Sequence, residues 1–247
     1  MKYAIISDIH ANLAALQAVL ADAQPHAGAF VCLGDIVGYN ANPNECLQLV
    51  HDRCEVAIVG NHDQAAIGSR RYDDFTPDAQ AAINWTTQQL TGAGKAYLRS
   101  LPLTAPFGPR ALAAHGSPRH TDEYLHHAVA IAQSFVCLRR TRPEILCCFV
   151  GHTHTPMIWQ CTPEEVVSRV QVASSRVALD PAYCYIINPG SVGQPRNGNP
   201  AASYLVLDDE ALTVTFRAVP YDILATPDKM YDAMLPLPLA ERLALGR

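Results

Sequence analysis

Residues 149–157 read "FVGHTHTPM". An apolar run, Ile145 to Val150, stops at Gly151, and two imidazoles follow one residue apart, His152 and His154. Taken alone, this is either a polar, His-rich loop or the carboxyl end of a buried strand that meets a ligand. In open α/β sheets, ligands bind just beyond such strand ends. The rest of the chain decides between the two.

Four other apolar runs end in the same manner. "YAII" is followed by Ser7, Asp8 and His10; "AFVCL" by Gly34, Asp35 and Gly38; "VAIV" by Gly60, Asn61, His62 and Asp63; "ALAA" by His115 and Gly116. Five strand ends therefore each deliver a carboxylate, an imidazole or an amide, several with a glycine where backbone must approach a ligand closely. Asp8 and His10, like His152 and His154, are one residue apart. On extended backbone such pairs point the same way and can face a common centre. A centre lined by Asp, His and Asn suits divalent metals, and imidazole favours Zn, Fe or Mn over Ca or Mg.

The elements between these ends fit that reading. Lys2 to Ser7 is a short strand, and Asn12 caps a helix carrying Leu13, Leu16, Val19 and Leu20 at helical spacing. Ala29 to Leu33, Pro43 to His51 and Val56 to Val59 continue the series as strand, helix and strand. The β-α-β-α-β order predicts a largely parallel sheet with covering helices. Thr76 and Pro77 start a helix to Leu90, "FGPR" lies between two strands within Leu103 to Ala114, and Ala128 to Arg140 is helical. Strands around Ile145–Val150, Ile158, Val170, Ile186, Leu205 and Val214 make the second half strand-rich. Residues 221–247, punctuated by proline, read as a partly helical C-terminal extension of one domain spanning 1–247.

"DIH", "GDIVG", "GNHD", "HG" and "GHTH", in that order from Asp8 to His154 and extended by "INPGSVGQPR" at Ile187 to Arg196, resemble the calcineurin-like metallophosphoesterase superfamily. "GDIVGYNANPNEC" and "HGSPR" resemble its small prokaryotic phosphodiesterase-type branch in particular, although Asn40 stands where many relatives have glycine. The resemblance implies an α/β fold, a four-layer αββα sandwich of two mixed β-sheets flanked by helices, with a two-metal site at the strand C-terminal edge. Carried over by motif, Asp8, His10 and His154 hold one ion, Asn61, His115 and His152 hold the other, and Asp35 bridges them. His62 is then the catalytic residue over the substrate. The cofactors implied are two divalent ions, among Mn, Fe, Zn and Ni. Ions about 3.5–4 Å apart activate water and clamp a phosphoryl group, and His62 can give the leaving oxygen its proton. The activity implied is phosphoester hydrolysis, by a phosphodiesterase acting on nucleotide-like or other small substrates. A phosphomonoesterase or protein phosphatase, and a non-catalytic scaffold, are the alternatives; a scaffold predicts eroded ligands, and every ligand position here is filled.

Outside the motifs, Arg119 and Arg196 are candidate phosphate contacts, and His120 or Tyr124 can flank a substrate. Asp63 reads as a cap or as an orienter of His62. Asn188, Gly190 and Ser191 read as a wall beside "GHTH", and Arg70 and Arg71 as surface residues. Hydrophobic residues make up 49% and charged residues 17% of the 247, with a net charge of −5 and lysine only at positions 2, 95 and 229. With no basic stripe, a dedicated nucleic-acid surface is not expected. No stretch approaches the roughly 18 apolar residues of a membrane span. The 8 cysteines contain no Cys-x-x-Cys pair. They read as reduced core thiols, with Cys147 and Cys148 on opposite faces of a strand, in a cytoplasmic protein.

Overall fold

The computed structural model describes residues 1–171 and 175–247. Its first sheet is built on β1 (Lys2–Ile6), β2 (Ala29–Cys32) and β3 (Val56–Ala57), paired in parallel in the order β3-β2-β1. On the other side of β1 it continues antiparallel through β11 (Ala202–Asp208), β12 (Thr213–Val219) and β9 (Arg176–Ala178). The second sheet has the order β4 (Thr104–Phe107), β5 (Ala111–Ala114), β6 (Cys147–Phe149), β10 (Cys184–Asn188), β7 (Met157–Cys161) and β8 (Val167–Arg169). Within it, β5, β6 and β10 run parallel. Each sheet therefore has a parallel trio, and the carboxyl ends of the two trios meet at one edge of the sandwich.

Strand alternation explains the layers. Tyr3, Ile5, Val31 and Leu33 of the first sheet pack against Ala113, Cys147, Phe149, Tyr185 and Ile187 of the second. The intervening residues face outward. Ala4, Ile6, Phe30, Cys32 and Tyr204 receive Leu16 and Val19 of α1 (Leu13–Ala23) with Leu47 and Val50 of α2 (Pro43–Arg53). Leu112, Ala114, Cys148, Val150 and Ile186 receive Ile131, Phe135 and Leu138 of α6 (Ala128–Thr141). This is a four-layer αββα sandwich, and Cys147 and Cys148 do lie on its opposite faces. All eight cysteines are free. No described helix is long and apolar enough to cross a membrane.

Three elements are absent from the sequence reading: α3 (Asn61–Ala66), α5 (Gly92–Ser100) and β9. The helix read from Thr76 is α4 (Pro77–Gln89), capped by the Thr76 hydroxyl. The strand expected around Val170 ends one residue earlier, at Arg169. Residues 221–247 form α7 (Ala225–Asp232), α8 (Leu237–Glu241) and a 3₁₀ turn (Arg242–Leu245). Met230, Leu235, Leu239 and Leu243 pack there on Tyr39, Ala79 and Ala82.

Asn12 ties these parts together. Its Oδ1 accepts from Ala15 N (3.2 Å), capping α1, and from the Thr226 hydroxyl (3.1 Å). Its Nδ2 donates to Gly193 O (3.0 Å) and to the Tyr221 hydroxyl (3.2 Å). Asn12→Ala removes the cap and leaves buried partners unpaired, so chemical denaturation should show a loss of about 2–4 kcal/mol. Asn12→Asp keeps the cap acceptor and should lose less; equal losses would mean that the cap and the Thr226 link contribute nothing, and no loss in Asn12→Asp would mean the same of the links to Gly193 and Tyr221.

Candidate metal centre

The loops after the six parallel strands make the site, and they do not stay extended. Asp8, His10, Asp35, His152 and His154 all have left-handed backbone, with φ between 47° and 62°. For residues with a Cβ this conformation costs roughly 1–2 kcal/mol each, and such strain persists where surrounding structure imposes it. The expectation that extended backbone aims each i, i+2 pair at one centre is therefore corrected. Asp8 and His10 do converge, but through left-handed turns. His152 and His154 part company. Asp8, His10 and His154 form one cluster, and Asp35, His115 and His152 another, with candidate ligand atoms in each within 4.8 Å of one another.

Backbone bonds stitch the two sheets together at this edge. His152 N donates to both Asp8 carboxylate oxygens (3.0 and 3.1 Å), and Gly193 N and the Ser191 hydroxyl donate to Asp8 O (2.9 and 2.8 Å). Asn188 Nδ2 donates to Gly151 O (2.6 Å) and the Thr153 hydroxyl (3.0 Å), holding the "GHTH" loop. Gly151 lies so close to the loop after β1 that a Cβ would overlap the Ser7 hydroxyl and sit 2.7 Å from Asp8 Oδ2.

The imidazole hydrogen bonds fix the tautomers. Nδ1 of His10, His115 and His154 faces the carbonyl oxygens of Val37 (3.1 Å), Leu33 (2.8 Å) and Gln194 (2.6 Å). A carbonyl only accepts, so each Nδ1 carries a proton, and wherever the ring is neutral its Nε2 presents a lone pair. His10 Nε2 and His154 Nε2 then face each other at 3.1 Å. His115 Nε2 faces Asn61 Oδ1 at 3.0 Å and Asp35 Oδ2 at 3.3 Å. Asp35 Oδ2 is also 3.6 Å from His10 Nε2, so it stands between the two clusters. It is buried without a hydrogen-bond partner, as is His152 Nε2. Electron pairs converge here with too few protons between them, and the donor set of carboxylate, imidazole and amide oxygen is that of a divalent metal site.

Charge follows the same logic. Burial pushes the Asp8 carboxyl up to about 6, with the His115 charge opposing and Asp35 adding to it. Burial holds His10 and His154 well below the usual imidazole range, and His152 down at about 3. At His115 burial is outweighed by the charge of Asp35, which raises it to about 10, while Asp35 itself is held well below the carboxylate range by the facing imidazoles, against its burial. Without a cation, a proton on His115 supplies the positive charge the cluster demands.

His62 opens α3 beside the clusters. Its ring is 5% exposed, stacks on Phe75 (centroids 4.6 Å apart, 29°), and meets His10 and Tyr39 edge-on or tilted (4.8 and 4.5 Å). Its Nδ1 lies against Gly38, where a Cβ would come within 2.7 Å, and has no partner. Burial lowers its pKa to about 4, with Asp35 opposing. Asp63 does not touch this ring. Its carboxylate accepts from Ile36 N (2.9 Å), Val37 N (3.0 Å) and Gly60 N (3.0 Å), capping α3 and fixing the loop that carries Asp35.

The two candidate arginines separate. Arg196 lies beside the clusters, donating to Gln194 Oε1 (2.9 Å) and reaching the Tyr39 hydroxyl (3.4 Å). Arg119 is committed to Glu123 and Gln133 and faces a neighbouring cavity; the structure does not bring it to the clusters. Arg71 is on the surface as read, but Arg70 is not. It pairs with Asp74 (2.8 Å) and Asp122 (2.9 Å), lies 4.8 Å over the Phe75 ring, and lines the cavity beside His62. Arg70 and Phe75 lie in a loop with no periodicity, and nothing in the sequence marks them. Tyr124 stands 3.9 Å, ring to ring, from His152, and His120 is on the surface.

Residues 1–211 match the family model of the calcineurin-like phosphoesterase superfamily domain, and the chain belongs to that superfamily. Over 99% of its length it is 38% identical to an uncharacterised protein of Methanocaldococcus jannaschii, 98% of which is covered. A crystal structure of a metallophosphoesterase from Sphaerobacter thermophilus is 41% identical and superposes with a TM-score of 0.84, covering 100% of this chain and 99% of that one. A hypothetical protein from Pyrococcus horikoshii shares the fold at 20% identity, with a TM-score of 0.79 over 100% of this chain and 98% of that one.

The close approach at Gly151 gives a direct test. Gly151→Ala forces Ser7 and Asp8 away, so elemental analysis after dialysis against metal should find the Asp8 cluster depleted, with apparent affinity down at least about tenfold. Unaltered metal content and affinity would show that the approach of these two loops does not build the site.

Proposed function

We propose that this protein is a metal-dependent hydrolase that holds two divalent ions and cleaves small phosphodiesters. The observation that carries this reading is Asp35 Oδ2, buried and without a partner between His10 Nε2 and His115 Nε2. Asp8, His10 and His154 would hold one ion, Asn61, His115 and His152 the other, and Asp35 both. When bound, such ions supply Lewis acidity toward phosphoryl oxygens and lower the pKa of water to near neutrality. The chain's own residues do the rest. Asp63 and the Gly60–Asp35 contact hold the bridging carboxylate in place. Arg196 offers a cation to the phosphoryl group. Arg70, in contrast, is matched by Asp74 and Asp122. That charge balance supports a singly charged diester over a doubly charged monoester.

His62 is placed to serve the leaving oxygen. Its ring is neutral at pH 7 in the free site, and an anionic substrate favours the imidazolium by direct charge interaction. The free thiols and the absence of a described membrane-spanning helix support, as part of the same proposal, a protein that works in the cytoplasm.

Apo protein reconstituted separately with Mn, Fe, Zn, Ni and Mg, and assayed on matched aryl phosphate mono- and diesters, tests the reading. Two ions per chain and faster diester turnover are expected; a fully loaded protein that hydrolyses neither would refute it. Asp35→Asn weakens charge compensation for both ions, so metal content and activity should fall together. Normal two-ion occupancy with near-normal turnover would remove the bridge.

His62→Ala should keep both ions and the fold while turnover drops by about 10²–10⁴-fold, the range for a positioned general acid. The loss should be greatest for an alkoxide leaving group and smaller for an activated aryl oxide, which departs as an anion. An equal loss on both would assign His62 to stabilising phosphoryl charge instead, and loss of a metal would make it a ligand.

A further inference from the structure

A general acid needs its ring held on the leaving oxygen, and the usual holder is an acceptor on the far ring nitrogen. His62 lacks one. Its Nδ1 is buried with no hydrogen-bond partner, and Gly38 lies against that atom without a side chain to offer. The neighbouring Asp63 is occupied by backbone amides. Rotation about the Cβ–Cγ bond of an imidazole is soft, so packing has to set the ring plane. Three rings surround it: His10 edge-on (4.8 Å, 78°), Tyr39 tilted (4.5 Å, 47°) and Phe75 stacked (4.6 Å, 29°).

We propose that Phe75, held by Arg70, is the positioning residue of His62, its ring face doing for the imidazole what a hydrogen-bonded carboxylate does elsewhere. The inference rests on the reading in which His62 serves the leaving oxygen, and deepens it. Phe75 reaches the site from the segment between α3 and α4, and that segment is anchored on α4 without help from His62. Gln80 Nε2 donates to Phe75 O (2.8 Å), and the Tyr72 hydroxyl donates to Asn84 Oδ1 (2.6 Å). Arg70 Cζ lies 4.8 Å over the Phe75 ring centroid, a cation–π contact. Its guanidinium is fixed in turn by both oxygens of Asp74 (2.8 and 3.2 Å) and, through Nε, by Asp122 (2.9 Å). Asp122 follows β5, so the ion pair ties the segment carrying Phe75 to the second sheet. With two carboxylates against it, the Arg70 charge is committed to this frame rather than to a substrate anion.

A stack constrains orientation and neither supplies nor removes a proton. Loosening it leaves the metal ligands in place and lowers the fraction of bound substrate toward which the imidazole is correctly turned. The loss therefore falls on kcat and not on KM, and it is largest where the leaving oxygen most needs a proton.

The test measures kcat and KM of the metal-loaded full chain on methyl phenyl phosphate and on methyl p-nitrophenyl phosphate, which has the better leaving group. Phe75→Leu should lower kcat on the phenyl ester roughly three- to tenfold, the worth of an aromatic pair, with a smaller loss on the p-nitrophenyl ester and KM within about twofold. Phe75→Tyr keeps the ring and should keep kcat within about twofold. Added to His62→Ala, Phe75→Leu should change nothing further, because a positioning residue acts only through the ring it holds. Ring-proton NMR of the chain loaded with diamagnetic Zn reads the stack directly, the His62 signal being the one lost in His62→Gln. A ring face shields the protons stacked on it, so that signal should move downfield in Phe75→Leu and stay in place in Phe75→Tyr. Unaltered kcat, or an unmoved His62 signal, in Phe75→Leu overturns the inference. So does a rise in KM alone, which would make Phe75 a substrate contact, or an undiminished loss in the His62→Ala background. Should Phe75→Leu not fold, Arg70→Gln decides: a smaller loss of kcat in the same pattern is expected, and unchanged kcat overturns the inference. If the natural protein hydrolyses the esters and the Phe75 variant does so equally well, only this inference falls; if the fully loaded natural protein hydrolyses neither, the phosphodiesterase reading falls with it.

Discussion

Mutual repulsion among lone pairs is the constraint around which this protein is organised. Two imidazole nitrogens face each other at 3.1 Å, and a carboxylate oxygen without a partner lies between them and a third. Left alone, such groups would separate or take up water. They are held by bonds that are indifferent to the repulsion: Nδ1 protons on the carbonyls of Val37, Leu33 and Gln194, and backbone amides on Asp8, Asp35 and Asp63. Positive charge relieves the conflict. In the free chain the proton on His115 does part of that work; a pair of cations would do all of it.

The same constraint explains why the loops are strained where they are. Left-handed backbone at Asp8, His10, Asp35, His152 and His154 accompanies the convergence of their side chains into the two clusters. Large apolar layers on both faces of both sheets hold that strain. Two glycines of the site serve close approach rather than a positive φ. Gly151 and Gly60 sit against Ser7 and Asp35, and neither has a positive φ.

The layers and the ligand-bearing strand ends were legible in the sequence because both are written in residue type. Alternation and helical spacing report burial, and Asp, His and Asn after an apolar run report chemistry. The paths of those loops were not legible, because φ at Asp8 or His152 is decided by contacts between chain segments far apart in sequence. Short elements escaped for a related reason: α3 has six residues, too few to show a period, and α5 begins with the helix-poor "GAG". Arg70 looked like surface because a charged residue in a loop usually is. It is held inward by Asp74, Asp122 and the Phe75 face, partners that only the fold assembles.

Strand order also sets how far apart along the chain the paired segments lie. β1 pairs with β11, so the first sheet cannot close until residues 202–208 are in place. The second sheet has no such delay, since all of its strands fall between Thr104 and Asn188. His10 and His154 are 144 residues apart and belong to different sheets. The candidate ligands therefore converge only where the two sheets pack together. Long-range pairing of this kind is slow, and an ion held by residues of both sheets would stabilise only the assembled fold.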